Sequence, residues 1–238
     1  GRSWVVLQNC HLATSWMPEL ERLCEQLEAE SHRVHPDFRL WLTSFPNKYF
    51  PVPVLQNAVK MTYEPPRGLR ANLQAIWTAM DEADFDRCAE CQETWRKLLF
   101  GLTALHALLQ ERRKFGPSGF NIRSDFNETD LQISMETLAM LLEQQPHQTP
   151  WDALTYVTGH IHYGGRVTDD WDRRCVLSTL GRVYCDDALV TGFSFAEDAT
   201  DPDLVATYAA PPAGSLQDYR SHVDGLPLDD AVALFGMH

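Results

Sequence analysis

Residues Trp4-Val5-Val6-Leu7-Gln8-Asn9 form a continuous apolar run that ends in two neutral amides. Apolar residues without alternation mark a strand buried on both faces, as in a parallel sheet. Outward from this run, Ser15 is a candidate N-cap and Pro18 fits a first helical turn. Leu20, Leu23, Cys24 and Leu27 then recur at the spacing of one helix face. A polar bend at His35-Pro36-Asp37 leads to a second apolar run, Phe38–Leu42. Val59–Thr62 reads as a third short strand before the breaker Pro65-Pro66. Strand, helix, strand and short strand make an α/β unit with a parallel sheet, and these strands are too few to complete one.

From Gly68 onward the pattern turns helical. Trp95, Leu98, Leu99, Leu102, Leu105, His106 and Leu109 share one face of a long helix. It runs into Arg112-Arg113-Lys114, cations that suit a helix C-terminus, and Gly116-Pro117 stops it. Asn127 with Asp130 has the form of a capping box ahead of the stripe Leu131, Met135, Leu138 and Leu142. Further helices are expected near Trp151 and at Thr168, the latter with Asp169 and Asp170 in its first turn. Beyond Asp186 the chain is richer in Pro, Gly and Asp, with short helical pieces near Ser215 and Asp229. The expected organisation is therefore an α/β part over residues 1–66, a helical part over 67–186 and a looped segment over 187–238.

The formal net charge of −13 opposes binding to phosphate backbones, so nucleic acid is not an expected partner. The same charge opposes any other acidic polymer. No apolar run reaches the roughly 20 residues of a membrane span, and no signal peptide opens the chain, so no membrane association is expected. The six cysteines are scattered, and Cys10 and Cys24 read as core thiols of a reducing compartment.

Candidate chemistry is sparse. Cys88 and Cys91 form a C-x-x-C, yet no second pair supplies the ligands a structural zinc needs, and His160 and His162 are the nearest candidates. The plain reading is two small residues at a helix start. Gly116-Pro117-Ser118-Gly119 is a turn rather than a nucleophile elbow, because it follows a helix and Phe120 breaks the pattern. Gly164-Gly165-Arg166 could cradle a phosphate, but Asp169, Asp170 and Asp172 place negative charge in the turn that follows. Those carboxylates read as dipole compensation. A self-contained hydrolase or metal enzyme built on Asp169, Asp170 and Asp172 or on Cys88 and Cys91 is the alternative from another class. An adaptor-binding module with an exposed apolar patch is a third. No GxxxxGK[ST] occurs, and Gln8-Asn9 stands where a nucleotide hydrolase carries acidic residues for Mg²⁺. No residue is named as catalytic, cofactor-binding or metal-binding.

Long strings of this chain resemble the dynein heavy chain family. They include WVVLQNCHLATSWMPELE (Trp4–Glu21), HPDFRLWLTSFP (His35–Pro46), FPVPVLQNAVKMTYEPPRGLRANL (Phe50–Leu73) and WRKLLFGLTALHALLQERRKFGPSGFNI (Trp95–Ile122). YGGRVTDDWDRR (Tyr163–Arg174), YAAPP (Tyr208–Pro212) and LPLDDAVALFGMH (Leu226–His238) follow in family order. LQNCHLA and EPPRGLRANL look more like the axonemal members than the cytoplasmic form. The resemblance implies the later half of the sixth AAA+ module of a motor ring, followed by its helical lid. The first strand would hold the Walker B position, and FRLWLTS the strand that carries sensor residues in active modules.

The implied role is structural and mechanical, within an ATP-driven motor that walks toward microtubule minus ends. No cofactor is expected in this segment, while ATP and Mg are implied for other modules of the parent. Implied partners are the neighbouring AAA+ modules, with microtubules and dynein intermediate and light chains binding the parent in the cytoskeleton of the cilium or flagellum. Within that frame the lid, Gly68 to about Asp186, is expected to couple modules through the Trp95–Leu109 stripe and the aromatic residues Trp151 and Trp171. The sequence stops before the β-rich C-terminal region that many members carry.

Overall fold

The computed structural model describes residues 4–61, 66–196 and 202–235 and divides the chain into two compact units, residues 1–64 and 65–238. In the first unit, strands β1 (Trp4–Leu7) and β2 (Arg39–Leu42) pair in parallel, with Trp4 opposite Arg39 and Leu7 opposite Leu42. Parallel strands need a crossover, and helix α1 (Met17–Ala29) lies in it. Cys10, Met17 and Leu20 form its small core, with Leu7, Cys24, Leu42 and Phe50 packed around them.

Three expectations for this unit are corrected. The strands are covered on one face: Trp4 is 65% exposed and stacks on Trp41 at 5.7 Å between ring centroids. The cap of α1 is Trp16 without a side-chain bond, because Ser15 is taken up in a 3-10 turn, Thr14–Trp16. Val59–Met61 is not a strand. Val59 and Met61 are 92% and 78% exposed and pair with no described strand, and Thr62 and Pro65 lie outside the described residues. The residues before it instead form a short helix, α2 (Val52–Asn57), which Pro51 and Pro53 help start, since proline is tolerated where no backbone donor is needed.

The second unit is built around α5 (Gln92–Arg112), whose residues Leu98 to Leu109 are almost all buried. Helices α3 (Leu69–Ala79), α6 (Glu128–Gln144) and α8 (Asp170–Gly181) pack on it. Glu82–Phe85 adds a single turn, α4, capped by Asp81. The Asn127–Asp130 capping box forms in full at the start of α6. Helix α5 ends at Arg112 and passes into a 3-10 turn, Arg113–Ser118, that contains Gly116 at φ +58°. A positive φ disfavours any residue with a Cβ.

Helix α7 (Trp151–Thr155) continues as a π-helical segment, Tyr156–Tyr163. The next turn is crowded: a Cβ on Gly164 would sit 2.3 Å from the Gly159 carbonyl oxygen. Residues 202–235 contribute to the same core. Of helices α9 (Pro202–Thr207) and α10 (Leu216–Asp224), α10 lies along α3 and drives Tyr219 between Trp77, Phe85 and Phe100.

Candidate functional site

The C-terminal ends of parallel strands are where α/β folds bind ligands, and here they end in neutral groups. Gln8 and Asn9 are exposed, and Asn9 adopts a left-handed conformation at φ +55°. Its backbone amide donates to Thr43 Oγ1 at 3.0 Å, while the Cys10 amide donates to the Thr43 carbonyl at 2.9 Å. His11 accepts from the Phe45 amide through Nδ1, and its carbonyl accepts from Asn47 Nδ2. The strand ends are thus tied to each other by amides and hydroxyls, with no carboxylate among these partners.

The three aspartates flagged at the start of α8 are structural. Asp169 is the N-cap, and bonds donated by the Asp172 amide first, then Asn121 Nδ2 and the Trp171 amide, hold its carboxyl below the usual range. Buried Asp172 accepts from the Asn121 and Ile122 amides at 2.8 and 2.9 Å, fastening the loop after α5 to α8. Asp170 is exposed and pairs with Arg173. Arg166 is engaged too: its Nε donates to buried Asp130 at 2.6 Å, so Gly164-Gly165-Arg166 presents no free cation for a phosphate.

Cys88 and Cys91 are buried, with Cys91 at the cap position of α5. Burial pushes the Cys88 thiol up to about 12, which leaves almost no thiolate for nucleophilic or redox chemistry. Among the described residues no three His, Cys, Asp or Glu side chains are grouped to hold a metal. The hydrolase or metal-enzyme alternative loses its geometric basis, because both clusters are committed to packing and capping.

Polar side chains lie buried behind the π-helical segment. His106 Nδ1 meets Tyr163 Oη at 2.9 Å, and Gln110 Nε2 meets His106 Nε2 at 2.9 Å. One turn away, Ser134 Oγ bonds His162 Nδ1 at 3.0 Å and donates to the Asp130 carbonyl. Burial drives the His106 pKa down to about 4, keeping the ring neutral. The only available sequence signal was a histidine inside an otherwise apolar helix face. The side chains form two hydrogen-bonded groups, one tying the π-helical segment to α5 and the other tying it to α6.

A parallel β–α–β piece followed by a closed helical unit defines the class as an α/β domain portion joined to a helical companion domain. The comparisons narrow this class. Residues 1–62 match the model of the dynein heavy chain region D6 P-loop domain, and residues 95–238 match that of the dynein heavy chain AAA lid domain. The chain is 48% identical to human dynein axonemal heavy chain 3 over 99% of its own length and 6% of that protein's. It is 45% identical to mouse dynein axonemal heavy chain 12, with 99% and 8% covered. Against the Chlamydomonas reinhardtii dynein-1-beta heavy chain of the flagellar inner arm I1 complex, identity is 44%, with 99% and 5% covered. The chain belongs to the dynein heavy chain family, and it spans a small fraction, 5–8%, of the length of these relatives.

Proposed function

We propose that this chain is a non-catalytic, force-transmitting segment of a dynein motor ring, the later half of its sixth AAA+ module together with the lid. The parent would be an ATP-driven, minus-end-directed microtubule motor of the axoneme in cilia or flagella. The observation that carries the non-catalytic part is the neutral strand end. Gln8 and Asn9 supply no charge to hold Mg²⁺ or to orient an attacking water, and Thr43, His11 and Asn47 beside them bring no carboxylate.

Under this reading no cofactor resides here, and ATP and Mg bind other modules of the parent. The partners of this segment are neighbouring AAA+ modules, which would also supply cover for the open face carrying Trp4 and Trp41. Its charge of −13 leaves contact with the acidic microtubule surface to other parts of the parent, whose further partners are intermediate and light chains.

The test is the paired substitution Gln8→Ala, Asn9→Ala in the full-length heavy chain. Basal ATP turnover is expected to stay within about twofold of the native value, since about 1.4 kcal/mol of lost transition-state stabilisation already gives a tenfold change. A fall of a hundredfold or more with folding intact would place chemistry at this strand end and overturn the reading.

A further inference from the structure

Helix α3 begins without a cap of its own. Its N-cap position is Gly68, at φ +87° and with no side chain to accept from the first turn. The acceptor comes from 161 residues away: Asp230 Oδ2 receives the Leu69 amide at 2.8 Å. A Cβ at Gly68 would meet that same oxygen at an ordinary 3.5 Å, so the positive φ rather than crowding is what favours glycine here.

The backbone just before and after Gly68 is held from a third direction. Lys114, in the turn after α5, donates through Nζ to the Pro66 carbonyl at 2.7 Å and pairs with Glu111. Asn72 Nδ2 donates to the Gly68 carbonyl at 2.8 Å and also to Glu111 Oε1. Glu111 and Asn72 are 6% and 5% exposed. Arg70 reaches the Leu226 carbonyl at 3.1 Å, and Arg112 bonds the Phe235 and Gly119 carbonyls. Three segments far apart in sequence, residues 66–72, 111–114 and 226–235, therefore share one cluster in which Glu111, Arg112 and Asn72 are buried, Asp230 is half-buried and Lys114 reaches in from the surface. Pulling 111–114 away from the other two segments would leave the buried Glu111 and Arg112 short of partners, which is costly.

We propose that Asp230, Glu111, Lys114 and Asn72 form a mechanical clamp that makes the entry into α3, the end of α5 and the segment 226–235 move as one body. A displacement imposed on the chain at Pro66 is then delivered to residues 226–235, and the reverse, instead of being absorbed by a flexible turn. The use of this clamp in a motor rests on the function proposed above, whereas the clamp itself stands on the geometry alone.

Hydrogen exchange on the full-length heavy chain tests it. Asp230→Ala is expected to raise amide exchange at least tenfold across residues 66–72 and also at 111–114, with Asp230→Asn, which keeps an acceptor, within about twofold of native. A rise confined to Leu69, or no restoration by asparagine, would reduce Asp230 to a local cap and overturn the clamp. Should alanine unfold the unit, the milder pair Asp230→Ser and Lys114→Met decides. Combined, they are expected to change exchange at 66–72 at least threefold more than the product of the single effects, and a simple product refutes the linkage. Microtubule-stimulated ATP turnover of the same variants reads the motor role separately. Linked exchange with unaltered turnover would retain the clamp and remove its assignment to force transmission.

Discussion

The two units of this chain use aromatic residues in opposite ways. In the first, Trp4 and Trp41 stack on each other on an open sheet face, 65% and 40% exposed. In the second, Trp77 and Trp95 are fully buried, and Trp77 lies among Phe85, Phe100 and Tyr219. Both Trp77 and Trp95 direct the indole N–H to a partner, Thr103 Oγ1 and the Phe85 carbonyl respectively. The difference is one of closure. A two-stranded sheet with one helix buries at most one face, whereas a bundle around α5 surrounds its central helix and buries most of it. Stability in this chain should therefore concentrate in residues 65–238.

The largest effect follows directly. Trp95→Ala removes a side chain of zero exposure and two backbone-directed hydrogen bonds. It should destabilise the helical unit by about 3–5 kcal/mol, the range for large aromatic truncations in cores. Trp4→Ala should leave that unit's unfolding midpoint in denaturant unchanged. If the two substitutions lower the same transition equally, the units are one cooperative body and the contrast collapses.

Acid sharpens the same contrast. The folded His106 pKa lies near 4, against a usual value of 6.5, because burial disfavours the charged ring. Burial lowers the half-buried His162 as well. The unfolded chain then binds more protons between those values, so stability is intact above pH 6.5 and declines as pH falls toward 4. For His106 alone the loss is about 3 kcal/mol, at roughly 1.4 kcal/mol per pKa unit. His106→Gln should flatten this slope, as measured by denaturant midpoints at pH 7 and pH 5. An equal slope in the variant would assign the acid response to other groups.

How far the sequence anticipated these features depends on whether a local pattern or a distant partner decides them. Trp4–Leu7, Arg39–Leu42, the stripe of α5 and the Asn127–Asp130 box were legible, since periodicity and capping chemistry are written in neighbouring residues. Val59–Met61 misled because β-like composition says nothing about whether a neighbouring strand is present. The π-helical segment Tyr156–Tyr163 was hidden because its wide turns depend on the Gly159–Gly164 approach and on the polar groups packed behind it. Asp230 and Lys114 were invisible as clamp residues, since their partners at Leu69 and Pro66 lie 161 and 48 residues away. The neutral ends of β1 were the reverse case. There the sequence named Gln8 and Asn9, and the structure supplied Thr43 as what lies beside them.

Smaller effects come from the helix ends. Asn127→Ala removes a side chain that accepts from the Asp130 amide, within a capping box whose other half is Asp130 accepting from the Asn127 amide. The expected cost is about 1 kcal/mol. Asn127→Ser should recover most of it, because a hydroxyl can also accept from the third residue of the helix. Thermal unfolding of the three proteins in parallel gives the comparison. A loss well above the range for a cap would mean that the bond from Arg166 to Asn127 Oδ1 carries more than its 3.5 Å length suggests.

The smallest effect on folding belongs to Trp171. It is 69% exposed in the first turn of α8, and its ring is contacted by the Arg174 guanidinium at 5.2 Å. Neither feature removes much apolar area from water, so Trp171→Ala should change the stability of the helical unit by less than about 0.5 kcal/mol. That makes it a clean probe of the contrast drawn above. An exposed indole in the closed unit resembles Trp4 in the open one, as a large apolar surface whose cover must come from elsewhere. If Trp171→Ala leaves both folding and the parent's ATP turnover unchanged, this ring has no coupling role, and the transmitting surface lies on another face. If turnover falls several-fold with folding intact, the closed unit also completes itself through contacts outside residues 65–238.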